Sequence, residues 1–241
     1  MEAEDSAMRE PENGSDHHPE ESAVSPWLDR CREVACEGEL VVASHVALGA
    51  LDHVSAVRAI WEESAGVDLW LGASNVIRAF DLAAASPGRS HVFSNRRLAG
   101  IDGTIASALG LQRMRRCPVR VVLGDLTFCY DLPSLGARPD AEQDIQLIVF
   151  DDNGGSIFAS LEHGSHADLD TFARYFAIPQ TVDVAEVAQA CGWKSTHVET
   201  LEEFRRELSR PVTGRSLLHL SLPSPAPVFH SLRSLPSPAI P

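Results

Sequence analysis

Apolar residues gather in five short runs, at 67–71, 91–94, 119–123, 145–150 and 216–222, separated by longer stretches of mixed character. Most of these runs are predominantly apolar, without the regular polar–apolar alternation of a strand with one wet face. That pattern predicts strands buried on both sides, as in a parallel sheet covered by helices. The intervening stretches have helical spacing. Residues 27–64 form the longest, with Ala56, Val57, Ile60 and Trp61 on one face. Further helices are predicted over 76–85, 102–113, 130–137, 168–176, 183–191 and 200–209. Strand and helix alternate, which gives the expected fold class: α/β, a doubly wound, mostly parallel sheet.

The ends of the chain break this pattern. Residues 1–25 are rich in Glu, Asp, Ser and Pro and read as a disordered acidic tail. Residues 223–241 are Pro-rich, and the stretch from 221 repeats SLPSP at 221–225 and 234–238, so a C-terminal tail is expected there. The folded domain is therefore expected at 26–222.

Composition then narrows the function. A net charge of −14 over 241 residues disfavours nucleic-acid and anionic-membrane partners, which require basic surface. No apolar run approaches the roughly 20 residues of a membrane span. The acidic start lacks the order of a signal peptide. The five cysteines, Cys31, Cys36, Cys117, Cys129 and Cys191, are odd in number and scattered, as expected of reduced thiols in a cytoplasmic protein. No G-x-G-x-x-G follows a strand and no G-x-S-x-G is present, so dinucleotide-binding and α/β-hydrolase chemistry lack support.

The candidate chemistry sits where two predicted strands end. Gly124-Asp125 closes the third and Asp151-Asp152-Asn153-Gly154-Gly155 the fourth. Neighbouring parallel strands aim their carboxyl ends into one crevice, where open α/β sheets bind ligands. Asp125 and Asp152 would meet there with no basic residue nearby in sequence. Two such carboxylates repel unless a cation lies between them, and a hard oxygen-ligand ion, above all Mg²⁺, suits them. Mg²⁺ favours phosphate oxygens, so a phosphorylated ligand is implied. Gly154-Gly155 would let the backbone approach that phosphate, and the segment 155–161 would open toward a helix N-terminus.

The spacing of Gly124-Asp125 from Asp152-Asn153-Gly154 resembles the metal-binding signature of thiamine-diphosphate (ThDP) enzymes. Three further segments narrow the resemblance: Gly72-Ala73-Ser74-Asn75-Val76-Ile77-Arg78, Ser94-Asn95-Arg96-Arg97-Leu98-Ala99-Gly100-Ile101-Asp102-Gly103-Thr104, and Gly124-Asp125-Leu126-Thr127-Phe128. With Asn153-Gly154-Gly155-Ser156-Ile157-Phe158 they are similar, in order and spacing, to the MenD family, the 2-succinyl-5-enolpyruvyl-6-hydroxy-3-cyclohexene-1-carboxylate synthases of menaquinone biosynthesis. The resemblance covers about residues 27–220.

That resemblance implies a ThDP-binding, diphosphate-domain fold and a transferase reaction. 2-Oxoglutarate is decarboxylated and the resulting succinyl-semialdehyde carbanion adds to isochorismate. It implies Mg²⁺ held by Asp125, Asp152 and the Gly154 carbonyl, and ThDP contacts from Ile101, Gly124, Asp125, Leu126, Asn153, Gly154 and Gly155. It implies substrate contacts from Ser74, Arg78, Arg96, Ile157, Phe158 and Leu161, the arginines holding carboxylates. Most members carry Asn where Asp152 stands and Gly where Arg97 stands. The glutamate that activates the cofactor belongs to a pyrimidine-binding domain that no segment here matches. No catalytic residue is therefore assigned in this chain, and the domain is expected from another chain or from a homo-oligomer. Two other readings stay open: the diphosphate-domain subunit of a different ThDP-dependent 2-oxoacid decarboxylase, and a degenerate, non-catalytic binding domain.

Overall fold

The computed structural model describes residues 26–85, 91–95, 100–138 and 143–233. Arg96 and Arg97, the acidic stretch 1–25 and the last residues from 234 lie outside them. The first helices are α1 (Pro26–Val46) and α2 (His53–Glu63). Strand β1 (Asp68–Leu71), helix α3 (Asn75–Ala83), the short β2 (Val92–Phe93) and helix α4 (Thr104–Arg115) follow. Next come β3 (Val119–Gly124), α5 (Asp125–Tyr130) and β4 (Ile145–Asp151). Short α6 (Glu162–His166) and α7 (Leu169–Phe172) lead to α8 (Val184–Ala190), β5 (Lys194–Val198), α9 (Leu201–Leu208), β6 (Arg215–Ser221) and α10 (Ala226–Arg233).

The six strands form one sheet in the order β2-β1-β3-β4-β6-β5, and every pairing is parallel. Successive side chains of a strand point to opposite faces, and the two cores divide accordingly. Val122, Ile148, Phe150, Leu218 and Leu220 join α2, α3, α9 and α10 on one side. Val121, Leu123, Leu147, Val149 and Leu217 join α4 and α8 on the other. Both faces are covered, which is why the strand runs lack polar alternation. This is the α/β fold expected from the sequence.

Chain order doubles back at β1. Strand β2 lies on one side of it and β3 on the other. The carboxyl ends of β1 and β3 therefore part, and a crevice opens at that switch point. Buried Arg120 ties the opposite end of the sheet together. It donates to Gln146 Oε1 (3.0 Å), Ser64 Oγ (2.9 Å), the Glu63 carbonyl (2.6 Å) and the Leu208 carbonyl. Two of these acceptors close the C-terminal ends of α2 and α9, where helix carbonyls lack partners.

Three elements differ from the sequence-based expectation. Strand β5, Lys-Ser-Thr-His-Val, is polar because it is the sheet edge and is mostly exposed, so it carries no apolar run. Within the expected Pro-rich tail, α10 packs on the core through buried Phe229 and Leu232. The helix expected over 130–137 instead starts at Asp125 and gives way to a 3₁₀ turn at Leu132–Gly136, with Pro133 in its first turn.

Candidate functional site

Three loops line the crevice. Ala73 to Val76 follow β1, Gly124 to Thr127 follow β3, and Asp152 with Gly154 to Phe158 follow β4. Ile101 enters from the loop before α4 and His53 from the start of α2. Most of the expected site residues are thus brought together: Ser74, Ile101, Gly124, Asp125, Leu126, Asp152, Gly154, Gly155, Ile157 and Phe158.

Asp125 is the hinge of this arrangement. It is buried, and it opens α5 directly after β3. Its Oδ1 accepts from the Leu126 N–H (2.8 Å) and its Oδ2 from the Gly154 N–H (2.6 Å), so one side chain joins the loops after β3 and β4. Burial and the nearby Asp152 and Asp151 carboxylates push its pKa up to about 7, against the two N–H donors that hold it down. A carboxyl so strained relaxes when a cation binds beside it. A carboxylate offers about four lone-pair sites, so the two N–H contacts leave room for a metal.

The metal-free chain should register that strain. The folded pKa of Asp125 lies above the value near 3.9 of an unfolded aspartate, so its contribution favours folding below about pH 4 and is lost as pH rises toward 7. Asp125→Asn removes this titration. Urea unfolding of both proteins without added metal should show the wild type losing, relative to the Asn variant, on the order of 3 kcal/mol between pH 4.5 and 7.5. A pH-independent difference would refute the buried, self-repelling carboxyl.

Asp152 is held from elsewhere in the chain. Its Oδ2 lies 3.1 Å from Nε2 of buried His53 and also accepts from Ser156 Oγ. No basic residue near the two acids in sequence pairs them, as read from the sequence; the fold adds a distant one, His53, beside Asp152. Asn75 Nδ2 donates to Ser156 Oγ (2.7 Å) and extends the network. Sequence reading missed His53. The one local signal is Asp52 before a helical run, a helix N-cap whose Oδ1 accepts from the Val54 and Ser55 N–H groups, both at 2.9 Å. It places His53 at the start of α2 and says nothing of Asp152.

The glycine pair has a different neighbour from the one expected. A Cβ on Gly154 (φ +114°) would lie 2.1 Å from the Ala177 carbonyl oxygen, and one on Gly155 would lie 2.3 Å from that of Phe176. Gly155 N–H donates to the Ala177 carbonyl at 2.5 Å. The glycines thus admit the chain itself, the turn at 173–178, rather than only a ligand. The helix expected after them is a five-residue 3₁₀ turn, Ser156–Ser160.

Other expected residues fall outside the crevice. Asn153 (φ +64°) lines a second cavity, behind Asp125, with Cys129, Asp151 and Gln180. That leaves Asp152, not Asn153, beside Asp125 and Gly154. Leu161 borders a third cavity with Phe229 and His230 and is 43% exposed. Arg78 Nη1 donates to the carbonyl of Ser74, one turn back at 2.9 Å. Ser74 itself has φ +68°, a left-handed setting that costs a non-glycine residue about 1–3 kcal/mol and clusters at functional sites. Among the described residues no helix is long and apolar enough to cross a membrane.

A parallel α/β sheet whose switch-point loops present paired acids and glycines defines an α/β domain built to bind a ligand at the carboxyl ends of its strands. A family model for the C-terminal TPP-binding domain of thiamine pyrophosphate enzymes matches residues 74–219. The chain belongs to that family. It is similar to the 2-succinyl-5-enolpyruvyl-6-hydroxy-3-cyclohexene-1-carboxylate synthase of Renibacterium salmoninarum, at 36% identity over 83% of this chain and 36% of the relative. The synthase of an Arthrobacter species is 38% identical over 67% of this chain and 28% of the relative, and that of Vibrio cholerae 32% over 74% and 30%. The chain thus spans about a third of the length of these curated relatives. Among solved structures, benzoylformate decarboxylase from Polynucleobacter necessarius superposes with a TM-score of 0.58 at 19% identity, covering 71% of this chain and 33% of that one, a likeness of fold.

Proposed function

We propose that this chain is the ThDP- and Mg²⁺-binding part of a 2-succinyl-5-enolpyruvyl-6-hydroxy-3-cyclohexene-1-carboxylate synthase. The whole enzyme decarboxylates 2-oxoglutarate and adds the remaining four-carbon unit to isochorismate. The observation that carries the reading is the convergence of Asp125, Asp152 and Gly154 on one crevice, in a chain whose relatives bear that activity in their names.

The donor set fits the metal. Asp125, Asp152 and the Gly154 carbonyl are hard oxygen ligands, the kind Mg²⁺ takes, and the raised pKa of Asp125 marks a place where positive charge is wanted. Bound ThDP supplies the nucleophilic carbon and the electron sink for decarboxylation. This chain's residues would hold the cofactor's diphosphate end and meet the substrates, and the activating glutamate would come from a pyrimidine-binding domain. Asp125, Asp152 and the Gly154 carbonyl would hold the metal. Ile101 would pack against the cofactor, and Ile157 and Phe158 would form the apolar side of the crevice. Ser74, Arg78 and Arg96 receive the substrate carboxylates.

The test supplies a pyrimidine-domain protein made from a curated relative, with ThDP and Mg²⁺, and offers 2-oxoglutarate, pyruvate and benzoylformate in turn. Consumption of 2-oxoglutarate, with product only when isochorismate is present, is the expected result. Preference for another oxoacid would point to a decarboxylase subunit instead. In the same assay Arg78→Ala should raise KM for the carboxylate substrates roughly tenfold or more, the loss of one charged hydrogen bond, while ThDP affinity stays unchanged. Loss of ThDP affinity with unaltered KM would remove Arg78 from the substrate side.

A further inference from the structure

His53 reaches the crevice from α2, outside the motif segments named above, yet it is 2% exposed and its ring is fixed on two sides. Phe150 meets it edge-on at 5.3 Å between centroids (86°), and Phe229 at 6.3 Å (73°). Its Nε2 lies 3.1 Å from Asp152 Oδ2, and its buried Nδ1 has no partner. The ring is thus set with Nε2 facing Asp152 Oδ2 as a close polar contact and with Nδ1 turned away from it.

Ser156 hydrogen-bonds the same oxygen, and the direction of that bond is fixed. The Asn75 Nδ2 amide, itself a donor, occupies a lone pair of Ser156 Oγ, so the hydroxyl hydrogen points to Asp152 Oδ2. The Ser156 bond and the His53 contact thus both fall on Oδ2, and together they restrict the rotation of the carboxylate.

We infer that His53 is a positioning residue that makes Asp152 a one-oxygen cation ligand and so tunes the site toward Mg²⁺ over Ca²⁺. Oδ2 is engaged by His53 and Ser156, and Oδ1 is left for the metal. An Asp freed from these donors can swing and present both oxygens. Mg²⁺ demands near-octahedral geometry with compact single-oxygen ligands, whereas Ca²⁺ accepts bidentate carboxylates and higher coordination. An asparagine offers one oxygen without help. An aspartate at this position reaches the same denticity only when its second oxygen is occupied, and His53 and Ser156 occupy it. The inference rests on Asp152 being a ligand of the diphosphate-bound cation.

The test measures ThDP binding to the full chain by calorimetry, in Mg²⁺ or in Ca²⁺, without any activity readout. In His53→Leu the Mg²⁺-supported affinity should fall about tenfold, the usual cost of losing a residue that orients a metal ligand, while the Ca²⁺-supported affinity falls less. Ser156→Ala, a small change that leaves α2 and its packing intact, should narrow the Mg²⁺/Ca²⁺ ratio in the same direction. His53→Gln, which restores an N–H donor, should recover the wild-type ratio, and Asp152→Asn should make the ratio insensitive to His53→Leu. An unchanged ratio in folded His53→Leu or in Ser156→Ala overturns the inference, as does a Gln variant that behaves like Leu. Wild-type protein that binds ThDP in neither metal would instead overturn the metal-site reading beneath it.

Discussion

Asp125→Ala is expected to abolish the thermal stabilisation that ThDP and Mg²⁺ together give the wild-type chain. A ligand that binds only the folded state stabilises it by about 2.7 kcal/mol at a hundredfold excess over Kd, or roughly 5–10 °C in Tm for a chain of this size. The effect should require both components, because the metal joins the protein's acids to the diphosphate. Asp125 is the sharpest place to cut. It is buried, it ties the loops after β3 and β4 through the Leu126 and Gly154 N–H groups, and it carries the strain that a cation would relieve. The metal-free variant should stay folded, since the two cores on either side of the sheet do not involve Asp125. Scanning calorimetry of both proteins, with ThDP alone, Mg²⁺ alone and the pair, checks this. A variant that still gains several degrees from the pair would remove Asp125 from the metal.

The parts of this fold that were legible in the sequence are those where one physical cause acts locally. Strands β3 and β4 are buried on both faces, so apart from the paired Arg120 and Gln146 their residues are apolar up to Leu123 and Phe150, and the loops that end them carry the acids and glycines. Strand β5 escaped because an edge strand spends its side chains on solvent. Lys194, Thr196 and His197 are exposed, and Val198 alone is buried. Helix α10 escaped because prolines at 223, 225 and 227 bracket its start and mask the pattern of Phe229 and Leu232.

The site divides the same way. Asp125 and Asp152 could be paired from the sequence because consecutive parallel strands bring their ends together. The partner of Asp152 could not. His53 lies 99 positions earlier, on a helix packed across the sheet, and no periodicity connects the two. The second neighbour of the glycines was hidden for a related reason. Their freedom is needed where the chain passes close to itself at Phe176 and Ala177, a contact set by tertiary packing. Leu161 was grouped with Ile157 and Phe158 by the family resemblance, but Ser156–Ser160 is a 3₁₀ turn and Leu161 leaves it in an extended conformation, toward α10.

The 241-residue polypeptide, assayed alone with ThDP, Mg²⁺, 2-oxoglutarate and isochorismate, is expected to form product at least about a hundredfold more slowly than the same polypeptide given a pyrimidine-domain protein, the scale of a lost general acid–base group. The acids that line the described crevice are Asp125 and Asp152, and the proposed function assigns both to the metal. The family resemblance places the cofactor-activating glutamate in the pyrimidine-binding domain, and the chain covers about a third of its curated relatives. Beyond the crevice, Leu169, Tyr175 and Ile178 are exposed at 87%, 63% and 49%. Exposed apolar side chains on the segment 169–178 offer a surface that the pyrimidine-domain protein would cover. Without that cover the reacting centre faces solvent, and water competes as a proton donor with the second substrate. Adding the pyrimidine-domain protein should restore product and bury this surface, so that Tyr175→Glu weakens complementation while leaving ThDP binding by the isolated chain unchanged. Fast turnover by the polypeptide alone, insensitive to the added domain, would show that the chain completes its own site.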